Sequence, residues 1–221
     1  MKLKRIFIVN LLLIAVMLGF SAWAWIQLPP DAQIPTRFDF DGAPIAYMSK
    51  VGGLLLLPLV AMAIAVINLV LPATEPNREN IKRSQKAYGA TAISGMLFLT
   101  LVHVLITLSA LNKSIDTSDI IALALGIFFI VIGNYLSKIR RNYTFGFRTP
   151  WTLSSSLAWH KTHRWAGWLT VMHGLLLIIA GWQSNVSLLV FFLVSFAVVS
   201  IIILPVYSYF LWKSDPNRIS E

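Results

Sequence analysis

Long apolar stretches alternate with shorter polar ones along this chain, at roughly Ile6–Leu28, Val51–Leu71, Ala87–Leu111, Asp119–Leu136, Trp165–Trp182 and Ser187–Trp212. A helix needs ~20 mostly apolar residues to cross a bilayer, because lipid offers no partner to an exposed backbone amide. All six stretches approach or exceed that length, and none carries Asp, Glu, Lys or Arg in its middle. The pattern predicts an all-α polytopic membrane protein with six transmembrane helices. Pro58 and Pro205 lie inside the second and sixth spans. Each removes a backbone donor and predicts a kink. The first stretch is longer than the ~7–15 apolar residues of a signal peptide core. It ends in Trp23, Trp25 and Pro29-Pro30 rather than at a small-residue cleavage site, so it reads as a retained span.

Composition agrees. The 221 residues are 57% hydrophobic and 12% charged, and the mean hydropathy is +0.73. A soluble domain carries ~25% charged residues, so this chain has too little polar surface to cover a ball in water. The absence of cysteine excludes disulfides, thiolate metal sites and a cysteine nucleophile, and leaves the redox compartment open.

The net charge of +9 acquires meaning from where the cations lie. With the N-terminus inside, Lys2, Lys4, Arg5, Arg78, Lys82, Arg83, Lys86, Lys138, Arg140, Arg141, Arg148, Lys161, Arg164, Lys213 and Arg218 all fall on the cytoplasmic side. Only Arg37, Lys50 and Lys113 fall outside. Lys and Arg accumulate in cytoplasmic loops, so both termini are expected inside. The charge is then a topology signal rather than a mark of direct nucleic-acid binding.

Three sections follow along the chain: residues 1–72, a two-helix membrane domain with a structured outer loop at 27–50; residues 73–118, a connecting loop and the third span; and residues 119–221, a three-helix domain with a cytoplasmic loop at 137–164. Prolines 30, 35 and 44 stiffen the outer loop and Gly42 offers a tight turn. There Thr36, Phe38 and Phe40 alternate with Arg37, Asp39 and Asp41, a period-2 pattern that predicts one extended strand. In the inner loop Pro150 stops any helix arriving from the fourth span. Thr152 or Ser154 can cap a new helix, and Trp159 and His163 then lie one turn apart on one face.

Candidate chemistry is sparse. Ionisable groups at membrane depth are expensive and often functional, and only His103 and His173 qualify. The simplest role for each is a neutral imidazole bonded to a neighbouring helix. Asn10, Asn68 and Asn134 suit the same interhelical role. A coupled transporter normally keeps a carboxylate near the midplane, and none is present. His160 and His163 have the i, i+3 spacing of two metal ligands but no evident third. No Ser-His-Asp spacing, phosphate-binding glycine loop or HExxH is found, so no enzyme, cofactor or metal is expected. Trp151 and Trp159 suit the headgroup zone, while Arg148, Lys161 and Arg164 suit lipid phosphate.

Asn134, Asn142, Gly146-Phe147-Arg148-Thr149-Pro150-Trp151-Thr152-Leu153, Trp159, Lys161-Thr162-His163-Arg164 and Gly167 together resemble the signature of the SdpI family. These are bacterial immunity proteins against the sporulation-delaying toxin. Ile34-Pro35-Thr36, Gly42, Pro44 and Ser49-Lys50 are similar to the small N-terminal membrane domain often found ahead of it, and Pro76, Asn80 and Ile81 also fit. The resemblance is broken at Arg37, where the pattern has a histidine, and at Ala46, where it has an acidic or small polar residue. It implies a multi-pass protein of the bacterial cytoplasmic membrane that protects the cell from a secreted peptide toxin and signals its presence inward. The implied partners are a toxin outside, a transcriptional repressor inside and membrane lipid around. The contact residues expected outside are Arg37, Asp39, Asp41, Gly42 and Lys50, the aspartates because their negative charge would attract a cationic peptide. Inside they are Asn134, Asn142, Gly146, Arg148, Thr149, Pro150, Trp151, Thr152, Trp159, Lys161, Thr162, His163 and Arg164. A small-solute or lipid transporter, or a structural envelope protein, remains the alternative.

Overall fold

The computed structural model describes residues 3–38, 44–111 and 117–218. Its six membrane-length helical segments follow the apolar stretches. They are α1 (Leu3–Gln27), α2 (Lys50–Val70, extended by a 3-10 turn to Ala73), α4 (Gln85–Ala110), α5 (Thr117–Leu136), α7 (Ser156–Trp182) and the pair α8 (Val186–Val198) and α9 (Leu204–Lys213). Short helices α3 (Arg78–Arg83) and α6 (Pro150–Ser154) lie in the loops of one end. Large apolar side chains such as Leu12, Leu59, Trp168, Phe191 and Ile201 are exposed along the spans. That outer surface suits lipid and would be unstable in water.

Two helix groups make up the bundle. In the first, α1, α2 and α4 pack around Ile14, Met17, Ala61, Ala65 and Met96. In the second, α7 is central and touches α5, α8 and α9, while α4 meets α5 between the groups. The tightest seam is α5 against α7. Gly126 and Gly133 face Gly174 and Gly167, and a Cβ added at any of the four would lie 2.6–2.7 Å from a backbone oxygen across the seam. Apolar burial does not drive association in lipid; close backbone approach does. Gly181 continues the row against Ala122.

The prolines are accommodated differently. The helix α2 continues through the buried Pro58. The sixth span passes through a π-helical turn at Val199–Ile203 directly into α9, and Pro205, which has no N–H to give, follows where the helical bonding pattern has already shifted.

Two readings of the loops change. The outer segment forms a hairpin rather than one strand: β1 (Gln33–Phe38) pairs antiparallel with β2 (Pro44–Ser49), with register shifts around Arg37. Period 2 marks extended backbone but is blind to where the chain folds back on itself. In the inner loop, the caps are Thr149 and Ser155 rather than Thr152 or Ser154. The Thr149 side chain accepts from the Thr152 amide, and that of Ser155 from the Ala158 amide. The helix α7 therefore starts at Ser156, so Trp159 to Arg164 belong to the same helix as the fifth span.

Candidate functional site

The loops at the end that carries both termini converge on the segment 139–155. Asn142 is fully buried. Its amide donates to the Arg140 carbonyl, and its oxygen accepts from the Thr144 and Phe145 amides at 2.8 Å each. The turn so formed delivers Gly146, whose φ of +108° suits glycine. A Cβ at Gly146 would stand 2.5 Å from His163 Nε2, so glycine is needed for space as well as for conformation.

His163 is buried and bonded at both ring nitrogens. Phe147 N–H donates to Nε2 at 3.0 Å, which makes Nε2 the acceptor. Nδ1 must then carry the proton, and it donates to the Trp159 carbonyl at 2.8 Å. Trp159 is fully buried. It stacks on His163 with ring centroids 4.0 Å apart and donates its Nε1–H to the Ile139 carbonyl. One turn of α7 thus holds both ends of the loop.

The helix α6 is held by a capping box, in which Thr149 and Thr152 each accept the other's amide. Thr149 also bonds Ser208 of α9 at 3.0 Å, and Trp151 packs edge-on against Tyr209. Ser155 donates to Asp215 at 2.5 Å and so ties the start of α7 to the tail after α9. This bond and one from the Asn217 amide hold the Asp215 carboxyl below its ordinary range.

Glu75, passed over in the sequence, joins the two helix groups. It is 2% exposed. Its carboxylate accepts from the Asn77 and Tyr143 amides and, at 2.6 Å, from the Thr144 hydroxyl. Among the described residues the ion pairs are those of Glu79 with Lys82 and Arg83, so Glu75 is satisfied by hydrogen bonds rather than by a cation. Asn80 Nδ2 bonds the Arg141 carbonyl, and Ser84 accepts the Arg140 amide, both at 2.8 Å. A glutamate between a helix end and a proline looks like any solvated loop acid; only the fold brings Tyr143 and Thr144 over it.

Of the expected inner contact residues, Asn142, Thr152, Trp159, Thr162 and His163 are buried, while Asn134, Arg148, Lys161 and Arg164 are exposed. Gly146, Thr149, Pro150 and Trp151 lie in the same folded loop.

At the opposite end Ile34 of β1 is fully buried beside Ala24 and Leu54 and fills the space over Gly53. Lys50 is also buried. Its ammonium donates to the Leu28 carbonyl at 2.7 Å and lies 4.5 Å from the Trp25 ring centroid. Arg37 is exposed on β1. Asp39, Asp41 and Gly42 lie outside the described residues.

The two membrane histidines belong to different helix groups. His103 Nε2 is 2.9 Å from the Ser21 hydroxyl and 3.2 Å from the Met17 carbonyl of α1. His173 bonds Ser195 of α8 and the Leu169 carbonyl. Asn68 accepts from Tyr88 across α2 and α4, whereas the buried Asn10 amide has no partner among the described residues. Two apolar clefts of about 290 and 240 Å³ flank Phe145 and share Thr91; neither is lined by a histidine.

Residues 138–208, which include this loop and its anchor helix, match the SdpI/YfhL protein family. That part of the chain is similar to the SdpI/YfhL family. Residues 12–62, which contain the hairpin, match a domain of unknown function, DUF1648. The chain is 25% identical over 207 residues to "Immunity protein SdpI" of Bacillus subtilis (strain 168), covering 93% of this chain and 95% of that relative. No solved structure matches it. With six spans and this kinship, it is a multi-pass bacterial membrane protein.

Proposed function

We propose that this protein protects its cell against a secreted peptide toxin and signals the toxin's presence to the cytoplasm. The observation that carries the reading is the span of the similarity. It runs through the hairpin-bearing region and the clamped basic loop alike, and the relative bears the name of an immunity protein. The toxin meets the outer cap at residues 27–50, where Arg37 and Lys50 lie. The exposed cations Arg148, Lys161 and Arg164 face the cytoplasm and offer a surface to a transcriptional repressor. The reading is non-enzymatic.

Contiguous packing supports a link between the two ends. Ile34 presses on α2 at Gly53 and Leu54. Ser21 donates to the Leu54 carbonyl and pairs with His103. Further along α4, Tyr88 packs edge-on against Phe145 of the basic loop. A transporter would need a polar path, and the placement of His103 and His173 in separate helix groups counts against one.

The test is deletion of the gene followed by challenge with the secreted peptide toxins of the same organism. Increased sensitivity to at least one is expected, with rescue by the wild-type gene. Unchanged sensitivity across the set would remove the immunity reading.

A further inference from the structure

We infer that the outer edge of β2 is a docking site for an extended peptide segment, which binds by adding a third antiparallel strand to the hairpin. The inference deepens the toxin reading, since it names how a peptide would be held.

The two strands have unequal positions. The strand β1 is fixed to the bundle through Ile34, which is fully buried, and touches both α2 and α4. The strand β2 lies outside it and touches α2 beyond β1. Among the described residues β1 is the one strand that pairs with β2, and none of them pairs with its other edge.

The register assigns the groups on that edge. Thr36 Oγ1 bonds the Ala46 carbonyl at 3.4 Å, so Ala46 turns its backbone toward β1. In an antiparallel pair, the N–H and C=O of one residue point to the same side, and successive residues alternate. Ile45 and Tyr47 therefore direct their donors and acceptors to that other edge. The pairing of Tyr47 with Pro35 agrees, because Pro35 has no N–H to give. The side chains of Ile45 and Tyr47 are 63% and 56% exposed.

Exposed edges template unwanted pairing, and proteins usually blunt them with charge, proline or a bulge. Here the register shifts are placed at Pro35, Arg37 and Phe38 of β1. Between Pro44 and Lys50, β2 has no charge and no proline. The unguarded edge is the one on the side of β2 away from β1. Its chemistry selects an occupant with its own free row of amides, in other words an extended peptide, with apolar side chains to lie along Ile45 and Tyr47.

Amide exchange on the full chain in lipid nanodiscs tests this, with a synthetic peptide of alternating valine and threonine as the probe. Without peptide, the Tyr47 amide should exchange at least about tenfold faster than that of Met48. Saturating peptide should slow Tyr47 by about tenfold or more and leave Met48 unchanged, the alternation that edge pairing requires. Tyr47→Pro removes an outward donor and should abolish binding, while Tyr47→Phe retains it. Monodisperse elution and wild-type Met48 protection certify that each variant is folded. If Tyr47→Pro lowers Met48 protection, Ile45→Pro replaces it under the same criteria. Peptide-free protection of Tyr47 equal to that of Met48 overturns the inference, because the edge is then already covered. Protection that grows with protein concentration alone overturns it in favour of a second copy. Wild-type peptide binding by a folded edge-proline variant overturns it as well.

The toxin challenge separates the two levels. Edge binding by the probe with no loss of resistance on gene deletion removes immunity and leaves the docking site. Full resistance conferred by the folded edge-proline variant removes the docking site from the immunity mechanism and leaves immunity.

Discussion

Gly146 carries two constraints at one atom, a φ of +108° and a neighbouring imidazole nitrogen where a Cβ would go. Gly146→Ala should therefore cost about 1–3 kcal/mol, more than the propensity difference alone. Thermal unfolding in detergent reads the loss, and the bond from Phe147 to His163 should weaken with it. Asp215 makes a pH-dependent contribution. Its folded carboxyl lies below the ordinary 3.8 because Ser155 and Asn217 donate to the ionised form. Stability from this group is therefore present above the unfolded value and lost as pH falls through the folded one. Asp215→Asn should flatten the acid limb of the pH–stability curve and change little near neutrality in its slope, as chemical denaturation across pH would show.

At the scale of elements, the α5–α7 seam is the most exacting contact. Gly126 and Gly133 are seven residues apart, as are Gly167, Gly174 and Gly181, so both rows keep to one helix face. Gly174→Ala would place a Cβ 2.6 Å from the Gly126 oxygen, and backbone cannot rotate away as a side chain can. A loss of about 1–3 kcal/mol is expected, whereas Gly19→Ala, with open space around it, should be neutral or slightly stabilising. Unfolding of the two variants in one detergent compares them. The glycine spacing was visible in the chain, but apolar runs dominate a membrane sequence, and nothing local says which glycine meets which helix. The outer hairpin was half legible for a similar reason. Alternation at 36–41 indicates extended backbone, while the partner strand at 44–49 is seen only in its pairing with β1, which the burial of Ile34 fixes to the bundle.

For the whole molecule, the crowding of cations at one end predicts that both termini face the cytoplasm. The cysteine-free chain permits a direct check by single-cysteine labelling of intact cells. A cysteine at Tyr47, which is 56% exposed, should react with a membrane-impermeant reagent. One at Lys161, exposed at the opposite end, should react only after lysis. The reverse pattern would invert the topology and the functional reading with it.

Span number, span length, the side preference of the cations and the family resemblance are carried by the linear order of residues, because lipid imposes the same requirement on every crossing helix whatever its neighbours. The roles inside the basic loop are not carried that way. Asn142, Trp159 and His163 were expected as contact residues and lie buried and hydrogen-bonded within the chain, and Glu75 was not singled out although it binds one helix group to the other. A hydrogen bond over about seventy residues of chain depends on where both segments end in space. Only packing of the helices decides that, and through it which polar groups face a partner and which hold the site in place.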